Sequence, residues 1–205
     1  MVTAAIIEYG MSNIDSVARA VEYCGGRPIV TCDPSVLATA SHLILPGVGS
    51  FDKGMENLRK RGLVDVLNEQ VIGNRIPFLG ICLGMHFLAT RGHEGQESQG
   101  LGWIDGDVVR LQSQDEAEKI PHVGWNRIDR VGPNPLLEKI ESGKDFYFVH
   151  SYHLSCTNPE QVLASTPYCG SFASVVGRDN IFGVQFHPEK SQKGGFQLLR
   201  NFLSI

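Results

Sequence analysis

Short apolar segments alternate with segments of helical periodicity through the first part of the chain. Residues 3–8 are apolar enough for a buried strand, and residues 13–24 repeat apolar side chains on one helical face until two glycines end the pattern. Further strands are predicted at residues 28–31, 42–45 and 76–81, and further helices from Asp33 onward and over residues 52–72. Repeated βα units of this kind favour a mainly parallel sheet covered by helices on both faces.

Beyond Arg91 the pattern changes from βα units to short extended segments. The glycine-rich residues 92–102 come first, and a helix over residues 192–203 closes the chain. Extended segments are predicted at residues 108–111, 145–151, 162–165, 172–176 and 180–186. The sequence therefore predicts an α/β fold with one domain over residues 1–205. Its mainly parallel sheet is flanked by helices, with added antiparallel strands in the C-terminal half.

Cys82 lies where the strand predicted at residues 76–81 gives way to a helical pattern, in the sequence Gly80-Ile81-Cys82-Leu83-Gly84. A cysteine at such a junction is typical of a nucleophile elbow. We expect the flanking glycines to let the backbone turn sharply and leave the thiol exposed. The first N–H groups of the following helix would stabilise negative charge on the sulfur or on a nearby oxyanion.

A histidine and a glutamate occur far downstream, in the sequence Gln185-Phe186-His187-Pro188-Glu189. A nucleophilic thiol needs a base, and the base needs an orienting partner. Pro188 disfavours a helical conformation at His187, so we expect an extended segment with His187 and Glu189 on the same side. The sequence thus predicts a triad of Cys82, His187 and Glu189 that only the fold brings together.

A glycine-rich turn, Leu45-Pro46-Gly47-Val48-Gly49-Ser50, follows another predicted strand. Glycine-rich backbone at the carboxyl end of a strand can bring N–H donors close to a ligand, as an oxyanion hole requires. A phosphate-binding or dinucleotide-binding loop and a plain structural turn stay open as alternatives. Neither the full G-x-x-x-x-G-K-[ST] pattern nor the full G-x-G-x-x-G pattern is present, which disfavours nucleotide binding.

Composition narrows the class of protein without deciding the chemistry. The 205 residues are 42% hydrophobic and carry a formal net charge of −4, which permits a sizeable core and argues against nucleic-acid binding. The N-terminus lacks the basic segment of a secretory signal, and no apolar stretch could span a bilayer, so we expect a cytoplasmic protein without membrane contact. Five cysteines without a C-x-x-C pair argue against disulfides and a cysteine-based zinc site.

The elbow, the segment from Gln185 to Glu189 and the turn around Val48 together resemble class I, triad-type glutamine amidotransferases. Within that family, further segments resemble the glutaminase subunits of imidazole glycerol phosphate synthase. They are Tyr9-Gly10 with Asn13, Pro-His-Val-Gly-Trp-Asn at 121–126, Phe-Tyr-Phe-Val-His-Ser-Tyr at 146–152, and Pro-Glu-Lys-Ser at 188–191. The matches extend from residue 8 to residue 203.

The resemblance implies that glutamine is the substrate and gives each residue a role. Cys82 would attack the carboxamide, His187 would protonate the leaving amine, and Glu189 would orient the imidazolium. The N–H groups of Val48 and Leu83 would stabilise the oxyanion. Substrate-binding candidates are Gly47, Gly49, His86, Ser151 and Tyr152. No cofactor and no metal are expected.

The resemblance also implies a partner that receives the ammonia. In the family this partner is a (β/α)8-barrel cyclase, bound as a heterodimer, which makes imidazole glycerol phosphate and an aminoimidazole carboxamide ribotide in histidine biosynthesis. Interface candidates are Asn13, Trp125, Asn126, Tyr147 and Lys190. An ordinary packing or surface role stays open for each of them, because Trp and Tyr are often simply packed.

Two departures from the family pattern bear on which reaction is served. The family usually has Gln four residues after the nucleophile, where this chain has His86, and it usually has Asp where this chain has Glu8. These changes suggest an alternative: a second copy of the subunit that supplies ammonia to another synthase, for example one that aminates a surface sugar. A stand-alone cysteine hydrolase and a catalytically idle binding subunit also stay open.

The remaining histidines give no metal site. His150 and His153 lie three residues apart, and in an extended segment they are predicted to face opposite sides. His122 and His150 fall inside the matched segments, with His150 expected near the substrate. His42 and His93 are predicted to be ordinary surface or loop residues.

Overall fold

The computed structural model describes residues 1–11 and 13–205, and in this part of the chain nine strands form one large mixed sheet. From one edge to the other they are β2 (Arg27–Thr31), β1 (Thr3–Ile7), β3 (His42–Gly47), β4 (Phe78–Cys82), β13 (Ile181–Val184), β12 (Phe172–Arg178), β11 (Val162–Thr166), β8 (His122–Arg130) and β9 (Lys144–His150). Every pairing from β2 to β13 is parallel. From β13 to β9 every pairing is antiparallel.

A smaller sheet lies beside the large one. Its strands, in order, are β10 (Tyr152–Cys156), β7 (Gly106–Arg110), β5 (Arg91–Gly92) and β6 (Ser98–Gln99). Strand β10 follows β9 after the single residue Ser151, so the chain passes directly from the large sheet into the small one at that point.

Helices cover the large sheet. They are α1 (Ile14–Tyr23), α2 (Pro34–Leu37), α3 (Phe51–Lys60), α4 (Leu63–Leu67), α5 (Leu83–His86) and α6 (Gln192–Phe202). Helix α4 continues into a π-helical turn at Asn68–Gly73, and further 3-10 turns occur at Pro135–Leu137, Pro159–Gln161 and Pro188–Lys190. None of the helices in residues 1–11 and 13–205 is long and apolar enough to cross a bilayer.

The buried apolar residues of the described part of the chain form two clusters, one on each face of the sheet. Along β1, Ala4 and Ile6 point into one cluster while Ala5 and Ile7 point into the other. Helices α1 and α6 cover the first face, and α3 and α4 cover the second. Burial on both faces is why these strands are almost continuously apolar, as parallel strands usually are.

The predicted fold class is confirmed: a mixed α/β fold with a large sheet flanked by helices. One detail of the prediction was wrong. The segment at 180–186 does not simply extend the antiparallel part, because β13 is parallel to β4 and antiparallel to β12. Strand β13 therefore joins the two halves of the sheet, and it places the segment after it next to the segment after β4.

Strands β5, β6, β8 and β10 were not predicted. Strand β8 contains a glycine and several polar residues, and its apolar and polar residues do not alternate regularly. The segment therefore lacks the pattern that identifies a half-buried strand. It forms nonetheless, because it pairs along most of its length with β9. The predicted helical stretch at 52–72 is also divided, since Gly62 adopts a left-handed conformation with φ 66° between α3 and α4.

Candidate active site

Cys82 ends β4 and immediately precedes α5, as the sequence predicts for a nucleophile elbow. Its backbone has φ 55° and ψ −110°, a conformation that a residue with a Cβ rarely adopts. Such strain is typical of an elbow that projects a nucleophile away from the end of a strand. The expectation of an exposed thiol was wrong, because Cys82 is largely buried, with the residue 8% exposed.

The glycines around Cys82 are needed for close packing rather than for the turn itself. Neither Gly80 nor Gly84 has a positive φ, so the expectation that they supply the sharp turn was wrong and Cys82 carries the strain. A Cβ added to Gly84 would collide with the Leu45 carbonyl oxygen, and one added to Gly80 would collide with the Gly84 carbonyl oxygen. The two glycines therefore allow α5 to approach strands β3 and β4.

We expect Gly84→Ala to lower the free energy of unfolding by about 3 kcal/mol or more, because the added methyl must displace backbone rather than a flexible side chain. Urea titration followed by circular dichroism measures this. Gly73→Ala is the matched control, since the space beside Gly73 is open and its φ is not positive. Equal stability of the two variants would contradict the explanation.

His187 reaches Cys82 because β13 and β4 are parallel neighbours that end at the same edge of the sheet. Val184 pairs with Ile81, so the residues after both strands emerge side by side. The His187 Nδ1 atom lies 2.9 Å from Glu189 Oε1, which confirms the predicted pairing of these two side chains. The backbone is extended only at His187, however. Glu189 lies in the 3-10 turn Pro188–Lys190 rather than in an extended segment.

The electrostatics of this pair favour a charged histidine. Burial by itself lowers the pKa of His187, but the nearby Cys82 sulfur and the hydrogen-bonded Glu189 carboxylate outweigh it and raise the pKa to about 10. In the described part of the chain, Nε2 of His187 and Oε2 of Glu189 are buried without a hydrogen-bond partner. With Nδ1 held by Glu189, Nε2 is the nitrogen left to act on Cys82 or on a substrate.

The turn after β3 lies beside Cys82 but does not present the predicted oxyanion donor in this conformation. The Val48 N–H donates to the Met11 carbonyl oxygen at 2.9 Å. Gly49 has φ 110°, a conformation that residues with a Cβ rarely adopt, and because it is a glycine it can also adopt negative φ values, so the turn can change conformation at this position. Leu83 begins α5, and an N–H at the first position of a helix has no acceptor within the helix.

A cavity of about 310 Å³ opens over Cys82 and His187. It is lined by Val48, Gly49, Cys82, Leu83, His86, Glu94, Pro121, Val149, His150, Ser151, Tyr152 and His187. Of the predicted substrate-binding residues, Gly49, His86, Ser151 and Tyr152 line it. Gly47 does not: it is buried at the end of β3 opposite Cys82, against the Tyr9 hydroxyl and the Leu83 side chain.

Glu94 is a site residue that the sequence analysis missed. Its carboxylate lines the cavity, and Oε2 accepts the Phe51 N–H at the start of α3 at 2.9 Å. Burial raises the pKa of Glu94, although the Phe51 N–H partly opposes this. The only signal in the sequence was an acidic residue inside the glycine-rich segment 92–102, which is too common a pattern to identify a site.

A chain of neutral histidines runs from β8 to the cavity. The Tyr152 carbonyl can only accept, so the Nδ1 of His150, 2.8 Å away, carries the proton. His150 Nε2 then accepts from His122 Nδ1 at 3.0 Å, and His122 Nε2 accepts from the Asn126 amide at 3.3 Å. Both pKa values are lowered by burial, that of His122 to about 4. A proton added to either ring would place two donors face to face.

Other histidine predictions need correction. His150 and His153 do not lie on opposite sides, because Ser151 interrupts the extended segment and both rings pack against Phe172. His42 is not a surface residue: it is buried at the start of β3, with its ring edge-on to Phe202 at 5.2 Å between centroids. His93 is partly exposed, as predicted, near Glu97 and Asp107.

Comparison with known proteins decides the family. A family model described as glutamine amidotransferase class-I matches residues 5–205. The chain belongs to the class I glutamine amidotransferases. Its resemblance to that family, inferred from short motifs, is thereby confirmed over nearly the whole sequence.

Relatives of this amidotransferase include subunits of one synthase. Proteins named imidazole glycerol phosphate synthase subunit HisH 2, from Methanococcus maripaludis and Pseudomonas aeruginosa, are each 46% identical to it. The matches cover 97% and 98% of this chain, and 98% of each relative. A Ruegeria pomeroyi protein named imidazole glycerol phosphate synthase subunit HisH is 45% identical, over 98% of this chain and 97% of that protein.

Solved structures show the same fold at lower sequence similarity. The structure of PurLQS from Thermotoga maritima aligns with a TM-score of 0.78 and 19% identity, over 99% of this chain and 98% of that chain. A crystal structure of a glutamine amidotransferase aligns with a TM-score of 0.75 and 18% identity, over 98% and 97% of the two chains. At such low identity these matches support the fold of the amidotransferase alone.

Three of the predicted interface residues of the amidotransferase lie together on its surface. Trp125 of β8 pairs with Tyr147 of β9, their rings 6.0 Å apart, and Lys190 Nζ lies 5.9 Å from the Tyr147 ring centroid. We call Trp125, Tyr147 and Lys190, with the exposed Val123 and Val149 beside them, the aromatic patch. Trp125 is 48% exposed, which is unusual for so large an apolar side chain.

The other two interface candidates are placed differently. Asn126 follows Trp125 on β8, so its side chain is on the opposite face, where it bonds to His122. Asn13 directly precedes α1, and α1 contacts the 3-10 turn that carries Lys190. Val149 belongs to the aromatic patch of the amidotransferase and also lines the cavity, so the patch and the cavity are continuous. Asn126 instead belongs to the histidine chain.

The amidotransferase is expected to lose stability in mild acid because His86 and His122 are buried as neutral rings. Both have a folded-state pKa of about 4, against an ordinary value of 6.5. Between these values the unfolded state binds more protons, so stability falls as the pH falls, by roughly 3 kcal/mol per histidine. His187 acts oppositely: its stabilising contribution is complete below pH 6.5 and is lost as the pH rises toward 10.

Urea titrations at pH 7, 5.5 and 4.5 measure this loss. The variant His86→Gln has no titrating ring at that position, so its free energy of unfolding should fall less steeply with pH than that of the wild type. Identical slopes for the two proteins would show that His86 does not resist protonation in the folded state.

Proposed function

We propose that this chain hydrolyses glutamine to glutamate and ammonia and supplies the ammonia within imidazole glycerol phosphate synthase, in histidine biosynthesis. The observation that carries the proposal is the placement of Cys82, at a strained elbow, in one cavity with the His187–Glu189 pair. The HisH names of its relatives support the particular synthase. We propose further that residues 1–205 act as a single glutaminase domain in the cytoplasm.

The proposed reaction begins with attack of the Cys82 sulfur on the side-chain carboxamide. His187 keeps its proton at neutral pH because its pKa is raised to about 10, so it can deliver that proton to the departing amine. Ammonia leaves, and a glutamyl thioester remains on Cys82. His187, now neutral, takes a proton from water that attacks the thioester; glutamate is released and the sulfur anion is restored. None of these steps calls on a cofactor.

The oxyanion formed in both halves of the reaction needs N–H donors. The Leu83 N–H at the start of α5 is the first, as predicted from the sequence. The Val48 N–H is the second, and it must leave the Met11 carbonyl oxygen before it can serve. Losing one such donor typically costs about 3 kcal/mol in the barrier, so we propose that the conformation of this turn sets the level of activity.

The cavity fits a small polar substrate. Its volume of about 310 Å³ is at the lower end for ligand pockets and suits an amino acid. We propose that the Glu94 carboxylate binds the α-ammonium group of glutamine, since it is the carboxylate among the lining side chains. Ser151 and Tyr152 line the same cavity as further contacts to the amino-acid part.

We propose that the aromatic patch binds the partner, a (β/α)8-barrel cyclase, in a heterodimer. Exposed Trp and Tyr side chains that lie together are typical of interface hot spots. The position of the patch also fits a passage for ammonia, because Val149 belongs to it and also lines the cavity. The Val149 carbonyl oxygen lies 3.9 Å from the Cys82 sulfur.

Trp125→Ala is expected to weaken cyclase binding by roughly thirtyfold, the effect of removing one central aromatic side chain from an interface. Calorimetric titration with the purified cyclase measures the affinity. Tyr23→Ala is the matched control, because Tyr23 is an exposed aromatic residue of α1 that contacts Phe196 and Arg200, away from the patch. Equal affinity of the two variants would exclude the patch as the docking surface.

A second synthase is a specific alternative acceptor. His86 replaces the usual Gln, and two relatives carry the numeral 2 in their names, which fits a duplicated subunit with a different destination for its ammonia. Stimulation of glutamine hydrolysis by a sugar-modifying synthase, and not by the histidine-pathway cyclase, would favour this alternative.

The test of the proposed function combines labelling with a glutaminase assay. We expect a diazoketone analogue of glutamine to label Cys82 in equal molar amount, and glutamate release from glutamine to rise when the cyclase is added. Rapid hydrolysis that no barrel protein changes would indicate a stand-alone hydrolase. Absence of both labelling and hydrolysis, with and without the cyclase, would indicate an idle binding subunit and would end the proposal.

A further inference from the structure

His86 lies behind Cys82, and the side chain of Gln185 lies between the two residues and contacts both. His86 Nε2 and Gln185 Oε1 are 2.8 Å apart, and Gln185 Nε2 is 3.9 Å from the Cys82 sulfur. Gln185 is fully buried and His86 is 4% exposed. Gln185 directly follows β13, whose last residue pairs with Ile81 of β4, so the amide is fixed beside the elbow by the sheet itself.

The proton positions in this chain of residues follow from what each group can do. A sulfur anion only accepts hydrogen bonds, so the amide group of Gln185 must turn its NH2 toward Cys82 and its oxygen toward His86. His86 must then carry its proton on Nε2. The opposite orientation would place an amide oxygen against a negative sulfur, with repulsion in a buried site.

The surroundings keep His86 neutral, as this arrangement requires. Burial lowers the pKa of His86 to about 4, and the hydrogen bond to Gln185 only partly opposes that shift. Other titratable groups nearby are His153 on β10, His150 on β9, and Glu94 across the cavity. A neutral ring with Nε2–H fixed by Gln185 has only Nδ1, an acceptor, left for any molecule in the cavity.

We propose that His86 is a positioning residue that acts through Gln185: it holds the amide so that one N–H stabilises the anionic sulfur of Cys82. This role replaces direct binding of glutamine, which the sequence analysis predicted for His86. The importance of His86 for catalysis rests on the proposed function. Its effect on the Cys82 sulfur does not, and that effect can be tested without glutamine.

The test follows the rate of Cys82 alkylation by iodoacetamide as a function of pH, in the full chain. Gln185→Leu and His86→Phe are each expected to slow alkylation at pH 7 by about tenfold, the value of one hydrogen bond to a charged group, and to move the midpoint of the profile to higher pH. With glutamine, kcat should fall while KM stays within about twofold. His86→Gln keeps an N–H donor for Gln185, so this variant should retain the wild-type pH profile of alkylation.

The controls separate this role from simple loss of structure. His153→Phe removes a neighbouring partly buried histidine that does not bond Gln185, and its alkylation profile should match the wild type. An unchanged profile in Gln185→Leu and His86→Phe, together with a KM raised tenfold or more in His86→Phe, would overturn the proposal and assign His86 to substrate binding.

A measurement on the wild-type protein avoids the risk that a variant does not fold. The nitrogen chemical shifts of the His86 ring, measured by NMR, distinguish the two neutral tautomers, and we expect the proton on Nε2. A proton on Nδ1 would overturn the proposal even if glutamine hydrolysis is confirmed. If instead glutamine is not hydrolysed while the tautomer and alkylation results hold, the proposed function fails and this inference stands.

Discussion

Cys82→Ser is expected to lower kcat for glutamine hydrolysis by at least about four orders of magnitude. A thiol is far more acidic than a hydroxyl group, so the Cys82 sulfur can be negatively charged before it attacks, whereas serine must lose its proton during the attack. In the wild type, Cys82 and Glu189 raise the pKa of His187 to about 10 against the opposing effect of burial, so a charged His187 faces the sulfur anion and is ready to protonate the leaving amine. The substitution removes the sulfur anion and its share of the raised pKa, so both the nucleophile and the acid are impaired. Glutamate release in the presence of the partner measures the loss.

The control for this substitution is Cys32→Ser. Cys32 is exposed, and its sulfur lies 3.9 Å from Arg61, so the change leaves the cavity untouched and activity should stay at the wild-type level. Circular dichroism should show that both variants are folded. If Cys82→Ser kept more than about a hundredth of the activity, the proposal that the reaction depends on attack by the Cys82 sulfur would be wrong.

The convergence of Cys82 and His187 on one cavity, and the pairing of His187 with Glu189, could be predicted because each residue lies in a short sequence whose local chemistry is restrictive. A cysteine between glycines at a strand-to-helix junction, and a histidine fixed by a following proline, leave few conformations. The parallel pairing of β4 and β13 then brings the two segments to one edge of the sheet. The reason for the glycines was not predictable, because it depends on how closely α5 approaches Leu45, a contact between distant parts of the chain.

Residues that depend on long-range pairing escaped the sequence analysis. The histidine chain exists only because β8 pairs with β9 and places His122 opposite His150. Glu94 enters the cavity through a segment without periodicity, held by the Phe51 N–H. Neither arrangement leaves a local pattern in the sequence, since the partners that fix each side chain are tens of residues away.

The glycine-rich turn after β3 shows the same limit at the level of a single peptide group. The Pro46-Gly47-Val48-Gly49 sequence predicts backbone that can approach a ligand, and the turn does lie beside Cys82. Whether the Val48 N–H points at the cavity or at Met11 is a difference between two allowed conformations of a glycine-containing turn. A glycine such as Gly49, which has φ 110°, is compatible with both conformations, so the sequence does not show which of them the turn adopts.

Glu189→Gln is expected to lower kcat by about three orders of magnitude, as loss of the orienting carboxylate does in related triads. Glu189 Oε1 accepts from His187 Nδ1 at 2.9 Å, and its charge helps to raise the pKa of His187. A neutral amide cannot balance the buried imidazolium, so His187 should lose its proton at lower pH. The alkaline limb of the kcat profile, where the general acid is lost, should therefore move to lower pH. Kinetic measurements between pH 6 and 10 would show both effects.

Glu56→Gln is the matched control for this change. Glu56 is an exposed carboxylate paired with Lys60 on α3, so its loss should change neither kcat nor the pH profile. Thermal unfolding should confirm that both variants are folded. This check is needed because the Glu189 side chain is buried and its Oε2 has no hydrogen-bond partner in the described part of the chain, so the substitution could change stability. A Glu189→Gln enzyme within tenfold of wild type, with its alkaline limb unmoved, would mean that the raised pKa of His187 comes from Cys82 alone. In that case the Cys82 sulfur and His187 would act as a dyad, and the carboxylate would only hold the 3-10 turn in place.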